Sequence, residues 1–174
     1  SIWARQGKSA VTISSNFSKL TFMDDRFIKR LEEISDKYHV QRNYLEIEIT
    51  ESANFTNLDT LVTRINQIRD SGFRVAMDDF GVESSNLALL SLVKFDILKI
   101  DKGFVKDIIS NKRAQIIIGM MTRMCSEMGI QLVAEGIEDG QQFNVLKEYG
   151  VKTVQGYLFS KPVSISEYEE KYMN

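Results

Sequence analysis

Two adjacent carboxylates, Asp78 and Asp79, follow a short apolar run in the segment RVAMDDFG. Burying two neighbouring carboxylates without a counter-charge is costly, so a positive group is expected between them, most simply a divalent metal ion. The alternative is a strand end at which one carboxylate caps a loop and the other is solvated. The polar residues elsewhere in the chain decide between these interpretations.

Other polar side chains recur at the ends of short apolar runs. They are Asn16, Glu48, Glu51, Lys99, Asp101, Glu135, Glu138 and Gln155. In a barrel of parallel strands the carboxyl ends share one rim, so these side chains are expected to face a common site together with Asp78 and Asp79. Carboxylate and amide oxygens without His or Cys suit Mg²⁺ or Mn²⁺, and two ions could share the aspartate pair.

Such a site favours phosphodiester hydrolysis, because bound metal ions activate water and neutralise charge on phosphoryl oxygens. Lys99 lies close to several carboxylates in this arrangement and is expected to stay charged. It could contact a phosphoryl oxygen or the attacking water.

Short β-type runs alternate with amphipathic helical stretches, which is typical of an α/β fold with a parallel sheet. The predicted strands are 11–15, 45–50, 74–77, 97–100, 131–134 and 153–154, and helices are predicted within 24–38, 57–72, 112–129 and 139–150. The pattern indicates about six units of a (β/α)8 TIM-type barrel, which needs eight. The opening SIWARQGKSA resembles a helix end and turn, so we expect the barrel to lack its first strand or strands.

Composition excludes several other classes of protein. The 174 residues carry 22 Lys plus Arg against 24 Asp plus Glu, which argues against duplex nucleic acid as a partner. The single cysteine allows no internal disulfide, and a reducing cytoplasmic setting fits best, although a parent protein could be anchored to a membrane elsewhere. No linker or low-complexity run divides the chain, so we predict one domain over residues 1–174 without membrane contact.

The segments EIEITES, DDFG, LKID, AEGIE and QGYLFSKP, in this order and spacing, resemble the EAL-domain cyclic di-GMP phosphodiesterases. The resemblance runs from Asn16 to Pro162, and several ordered motifs are far more specific than any one of them. It implies a (β/α)8 barrel that hydrolyses cyclic di-GMP to the linear dinucleotide with Mg²⁺ or Mn²⁺, in bacterial second-messenger signalling. It also implies a homodimer, and further signalling domains in the parent protein.

The resemblance also assigns roles to residues. Asn16, Glu48 and Asp78 are similar to ligands of a first metal ion, and Asp79 to a second-metal ligand and catalytic carboxylate. Lys99 and Glu135 resemble the catalytic lysine and a catalytic carboxylate that could also serve the second metal. Gln155 and Glu138 are assigned to substrate binding, and Glu51 resembles the anchor of the loop that follows DDFG.

Two departures from the family pattern bear on activity. The glutamate-alanine-leucine signature that names the family is absent, so a metal ligand is missing and we expect this chain to be inactive by itself. Glu83 and Ser84 replace a glycine and a residue that is usually aromatic in the loop after the aspartates. The alternative function is therefore a catalytically degenerate domain that senses cyclic di-GMP or binds another protein.

Simpler interpretations apply to single residues. Lys99 and Asp101 could form a surface ion pair, Glu138 could favour the start of the helix that follows it, and Asn16 could be a turn or N-cap residue. His39 and Cys125 are assigned to structure. Exposed strand edges in an incomplete barrel also predict self-association.

Overall fold

The computed structural model describes Trp3 and residues 11–50, 58–81 and 87–173. The strands are β1 (Ile13–Asn16), β2 (Leu45–Thr50), β3 (Arg74–Phe80), β4 (Ile97–Ile100), β5 (Gln131–Ala134) and β6 (Thr153–Val154). The helices are α1 (Lys19–Met23), α2 (Phe27–Tyr38), α3 (Leu58–Asp70), α4 (Leu87–Leu92), α5 (Lys102–Val105), α6 (Lys112–Met128), α7 (Gly140–Glu148) and α8 (Ile165–Tyr172), with a 3₁₀ turn at Arg42–Tyr44.

The six strands form one parallel sheet in chain order, from β1 at one end to β6 at the other. Helices connect successive strands, as parallel pairing requires. This is the arrangement of consecutive βα units in a TIM-type barrel, and it confirms the predicted fold class; the described residues supply six of the eight strands of a closed barrel. All strands therefore end at the same rim.

The outer face of the sheet carries the main hydrophobic core. Val75, Met77, Leu98 and Ile100 point outward from the central strands and are at most 2% exposed. They pack against the buried faces of the helices, which include Ile65 of α3. Burial of one such side chain stabilises the fold by about 1.5–3 kcal/mol. The sheet and its outer helices thus supply most of the apolar burial.

The inner face of the sheet is mostly polar. Its buried apolar cluster is small and separate from the main core, and it consists of Ala76, Ile97 and Val133. Towards the amino ends of the strands, Arg74 contacts Glu46 at 2.7 Å and Gln131 at 2.8 Å. The alternation of the pleat therefore separates apolar outer positions from polar inner ones.

The element boundaries differ from the predicted ones in several places. The helix predicted within 24–38 is confirmed as α2, whereas the short helix α1 before it was not predicted and ends at Asp24, whose carboxylate accepts hydrogen bonds from the backbone and side chain of Arg26. The first strand is Ile13–Asn16 rather than the predicted 11–15. The third strand continues to Phe80, past its predicted end at Met77, because Phe80 is buried and pairs with Ile100.

His39 and Cys125, the two residues assigned to structure, lie at the end of one helix and within another. His39 ends α2 in a left-handed conformation with φ of 53°. Cys125 is 1% exposed within α6, and burial raises the pKa of its thiol to about 11. Among the described residues, no helix combines the length and the apolar character needed to cross a bilayer.

Candidate active site

Lys99 lies at the centre of a cluster of three carboxylates. Its Nζ atom is 2.7 Å from Oε1 of Glu48, 2.7 Å from Oε1 of Glu135 and 3.4 Å from Oδ1 of Asp78. Glu48, Asp78 and Lys99 are buried, and Glu135 is partly buried. These are four of the predicted site residues, from four different strand ends.

The charged groups of this cluster shift one another's pKa values. Burial alone would lower the pKa of Lys99, but its close contacts with Glu135 and Glu48 outweigh that effect and raise the pKa above its ordinary value. Burial raises the pKa of Glu135, and the positive charge of Lys99 opposes this increase. Lys99 is therefore a permanently charged ammonium group at neutral pH, as predicted.

The contact between Lys99 and Glu135 is an ion pair rather than a well-directed hydrogen bond. Oε1 of Glu135 is buried and accepts no hydrogen bond of acceptable angle, although the ammonium lies 2.7 Å away. By contrast, Lys99 donates a hydrogen bond to Glu48. Among the described residues, Oε1 of Glu135 is therefore held by the charge of Lys99 rather than by a directed hydrogen bond.

A β-bulge places both aspartates opposite Lys99. Met77 pairs with Leu98 and Phe80 pairs with Ile100, so Asp78 and Asp79 together face the single residue between them on β4. Asp79 has φ of 55°, in the left-handed region that Asp tolerates better than most residues. Its backbone N–H donates to Oδ1 of Asp78 at 3.0 Å. The bulge brings two consecutive carboxylates to the rim without ending the strand.

Asp79 lacks a close counter-charge among the described residues. Burial, followed by the negative charges of Asp78 and Asp101, raises its pKa above the ordinary value of 3.8. The ion pairs of Lys99 involve Asp78, Glu48 and Glu135 instead. A cation bound beside Asp79 would relieve this repulsion.

Asn16 and Glu48 are adjacent on the inner face. They are paired residues of β1 and β2, and the backbone N–H of Phe17 donates to the carbonyl oxygen of Glu48 at 3.1 Å. Asn16 is exposed, so its amide is accessible beside the buried Glu48 carboxylate. The simpler reading of Asn16 as a turn residue does not fit, because it lies within β1.

Asp101, whose role the sequence left open, caps a helix. Its side chain accepts a hydrogen bond from the backbone N–H of Gly103 at 2.7 Å, at the start of α5. No ion pair joins it to Lys99 within the part of the chain that the structure describes. Asp101 therefore acts on the site mainly through its charge near Asp79.

The loops after β5 and β6 fit closely together. The backbone N–H of Ile137 donates to the carbonyl oxygen of Gln155 at 3.1 Å. A Cβ atom on Gly156 would lie 2.1 Å from the carbonyl oxygen of Ile137, so only glycine allows this approach. Glu135 and Gln155 are thereby held on adjoining loops, with Gln155 exposed at the rim.

Glu138 is also exposed, and it precedes the helix cap rather than forming it. Asp139 is the N-cap of α7, and its carboxylate accepts from the backbone N–H of Gln141. The structure thus leaves the Glu138 side chain at the surface beside the rim loops. Glu51, the predicted loop anchor, and the altered loop positions Glu83 and Ser84 lie outside the described residues.

Sequence reasoning missed Gln142. This side chain is 8% exposed, and its Oε1 atom accepts hydrogen bonds from the backbone N–H groups of Glu138 and Asp139. The available signal was the spacing of Asp139 and Gln142, which matches a capping box. That motif predicts the helix start but not the contact with a rim loop.

The oxygen atoms that the side chains of this site offer suit a hard divalent cation. Asn16, Glu48, Asp78 and Asp79 offer amide and carboxylate oxygens, the ligands that Mg²⁺ and Mn²⁺ prefer. Among the described side chains of His, Cys, Asp and Glu, no group of three is already arranged as a metal cage. Instead, the carboxylates of Glu48, Asp78 and Glu135 surround the Lys99 ammonium. Asn16 and Asp79 lie outside those ion pairs and could contribute ligands.

Comparisons with known proteins identify relatives of this chain. A curated relative, the probable cyclic di-GMP phosphodiesterase PdeA of Escherichia coli K12, is 33% identical over 160 residues, which are 92% of this chain and 22% of that protein. The chain therefore spans about a fifth of the length of this relative.

Two solved structures share the fold. The EAL domain of Mycobacterium smegmatis DcpA matches with a TM-score of 0.92 at 32% identity, over 97% of this chain and 76% of that one. Klebsiella pneumoniae BlrP1 in a manganese and cyclic di-GMP complex matches with a TM-score of 0.83 at 28% identity, over 88% of this chain and 39% of that one.

The family model for the EAL domain matches residues 2–162, which include every element from β1 to β6 and the whole Lys99 cluster. With these motifs on one rim of a parallel barrel sheet, the chain belongs to the EAL domain family.

Proposed function

We propose that the protein hydrolyses cyclic di-GMP to the linear dinucleotide in a reaction that requires one or two Mg²⁺ or Mn²⁺ ions. The observation that carries this proposal is the position of Lys99, within 2.7 Å of Glu48 and Glu135 and 3.4 Å of Asp78 at the strand ends. A fixed positive charge among oxygen ligands suits a phosphodiester, whose hydrolysis develops negative charge on phosphoryl oxygens.

In this reaction a water oxygen forms a bond to phosphorus while one ester P–O bond of the ring breaks, and a proton from the water ends on the released sugar oxygen as a hydroxyl. The bound cation supplies activation of water and neutralisation of phosphate charge. Asn16, Glu48, Asp78 and Asp79 would hold it. Lys99 would donate to a phosphoryl oxygen, and the partly buried carboxylate of Glu135 beside it would orient the attacking water.

Substrate contacts would come from two of the exposed polar residues of the adjoining rim loops. Gln155 and Glu138 lie there, with side chains accessible to solvent. Gln155 could hydrogen-bond the nucleotide through its amide, whereas Glu138 could accept from a guanine amino or imino group. Glu51 is proposed to anchor the loop that follows the aspartates.

The test uses the full-length protein as its gene encodes it. Cyclic di-GMP is incubated with Mg²⁺, with Mn²⁺ or with a chelator, and the linear product is separated by chromatography. The proposal expects product only with metal ions, and loss of product in Glu135→Gln. A matched control is Glu127→Gln, which makes the same change at an exposed position of α6. Absence of turnover with either metal would overturn the proposal.

The second candidate function is a sensor that binds cyclic di-GMP without hydrolysing it. Glu83 favours it, because it replaces a glycine and adds negative charge near the aspartate pair in the sequence. Calorimetry that finds affinity for the nucleotide without turnover would favour the sensor. Restoration of turnover by Glu83→Gly would assign the loss to this position.

We further propose a single cytoplasmic domain that self-associates, in a protein with additional signalling domains. Exposed apolar side chains on α4 and α6, including Leu87, Leu92 and Met120, support self-association. Light scattering of the purified chain tests this point, and a stable monomer at high concentration would contradict it.

A further inference from the structure

Gln142 joins two elements that carry site residues. Its Oε1 atom accepts from the backbone N–H groups of Glu138 at 2.9 Å and Asp139 at 3.1 Å. Its Nε2 atom donates to the carbonyl oxygen of Val105, the last residue of α5, at 3.4 Å. The side chain is 8% exposed. One buried amide therefore connects the loop after β5 with the helix after β4.

A local capping role accounts for only part of these contacts. A capping box needs one bond from Gln142 to the backbone of the N-cap, Asp139. The bonds to Glu138 and to Val105 lie outside that motif, and the second reaches 37 residues along the chain. Burial of the amide strengthens the case, because capping residues on a helix surface are usually solvated.

The loop that Gln142 holds begins at Glu135. Next to Glu135, Gly136 fits against Lys102 of α5 so closely that a Cβ atom would lie 2.3 Å from the Lys102 Cβ. Gln142 closes the other end of the same loop onto the same helix. The two contacts together fix the loop at both ends. Glu135 is the first residue of this loop, and its Oε1 atom lies 2.7 Å from Nζ of Lys99.

We propose that Gln142 is a positioning residue of the active site, acting through the 135–139 loop to keep Glu135 and Glu138 in place. This inference rests on the proposed function. Displacement of a reacting group by about 1 Å can reduce a rate about 100-fold, so a small movement of the loop has a large effect.

The test compares three variants of the full-length protein. Gln142→Met keeps the length of the side chain but removes all three hydrogen bonds. Gln142→Glu keeps an acceptor for Glu138 and Asp139, but it loses the donor to Val105 and adds a negative charge. Gln141→Met is the matched control, because it makes the same change at the neighbouring exposed position.

Turnover of cyclic di-GMP and the melting temperature are measured for each protein. Gln142→Met is expected to lower kcat about 10- to 100-fold with a smaller change in KM. Gln142→Glu should lose less activity than Gln142→Met, and Gln141→Met should stay close to the unsubstituted protein. Full turnover in Gln142→Met would overturn the proposal. The proposal would also be overturned if the Gln142→Met and Gln142→Glu variants lost turnover equally and in proportion to the fall in their melting temperatures.

Amide hydrogen exchange supplies a second readout that needs no activity. The N–H groups of Glu138 and Asp139 should exchange faster in Gln142→Met than in Gln142→Glu, and unchanged exchange would overturn the positioning role. Gln142→Asn, which is one methylene shorter, replaces the Met variant if that variant fails to fold. An unsubstituted protein without turnover would count against the proposed function, while the exchange rates would still decide the role of Gln142.

Discussion

Lys99 and Glu48 form an ion pair that crosses a strand. Lys99 lies on β4 and Glu48 on β2, yet their Nζ and Oε1 atoms are 2.7 Å apart over the intervening β3. The β3 residue paired with Glu48 is Ala76, whose small side chain leaves room for the lysine to reach across. The contact ties together three strands of the site. Lys99 therefore contributes to the stability of the fold as well as to the proposed reaction.

Replacement of Lys99 should destabilise the fold strongly. In Lys99→Met, three nearby carboxylates lose their shared counter-charge, and breaking a buried ion pair costs about 3–5 kcal/mol. Urea unfolding at pH 7 measures this loss. It should shrink as the pH falls, because protonation of the carboxylates removes their repulsion.

Lys94→Met provides the control for this substitution, because Lys94 is exposed three residues before β4. Its free energy of unfolding should change by less than about 0.5 kcal/mol. If the two variants were equally stable, the cluster around Lys99 would contribute nothing to the fold.

Replacement of Asp79 by Asn should stabilise the protein at neutral pH. The pKa of Asp79 is raised above 3.8, mainly by burial, so the folded state binds its proton more tightly than the unfolded state. Stability contributed by this group therefore falls as the pH rises above 3.8. Asp79→Asn removes that cost, so its urea midpoint should exceed that of the unsubstituted protein at pH 7 and match it at strongly acidic pH.

Asp79→Ala is the informative companion, since it removes the same charge from a residue with φ of 55°. Ala is strained in this conformation by about 1–2 kcal/mol, whereas Asn tolerates it, so the Ala variant should be less stable than the Asn variant. Mn²⁺ should raise the melting temperature of the unsubstituted protein more than that of Asp79→Asn. An Asn variant that is less stable at pH 7 would refute the inferred charge repulsion.

Gly156→Ala should disrupt the contact between the two rim loops. The added Cβ would lie 2.1 Å from a backbone oxygen of Ile137, so the loops must separate, at an overpacking cost of about 1–3 kcal/mol. Thermal unfolding measures the cost. Gly140→Ala makes the same change in the first turn of α7, where nothing lies within 4 Å, and should be neutral or slightly stabilising. Equal melting temperatures of the Gly156→Ala and Gly140→Ala variants would show that the two loops can separate without a loss of stability.

Much of the site could be predicted because it depends on chain order. Parallel strands place their carboxyl ends on one rim, so Glu48, Asp78, Lys99 and Glu135 were expected together, and the structure brings them into one cluster. The charged state of Lys99 also followed from its neighbours. These features need only the order of the strands and the period of the side chains.

The β-bulge and the role of Gln142 could not be predicted in this way. The bulge depends on the pairing of Phe80 with Ile100, and a local reading ends the strand at Met77 instead. Gln142 matches a local helix motif, and its bond to Val105 becomes visible only when α5 and α7 are packed together. Both features arise from contacts between segments that are distant in sequence.

The small inner cluster of Ala76, Ile97 and Val133 has a consequence for how this fold can diverge. The apolar burial is concentrated on the opposite face of the sheet, so most of the hydrophobic core lies apart from the residues of the rim. A lineage can therefore lose a ligand at the rim and still inherit an intact scaffold. A descendant that binds nucleotide without cleaving it needs no change of fold, only substitutions among the residues of the rim.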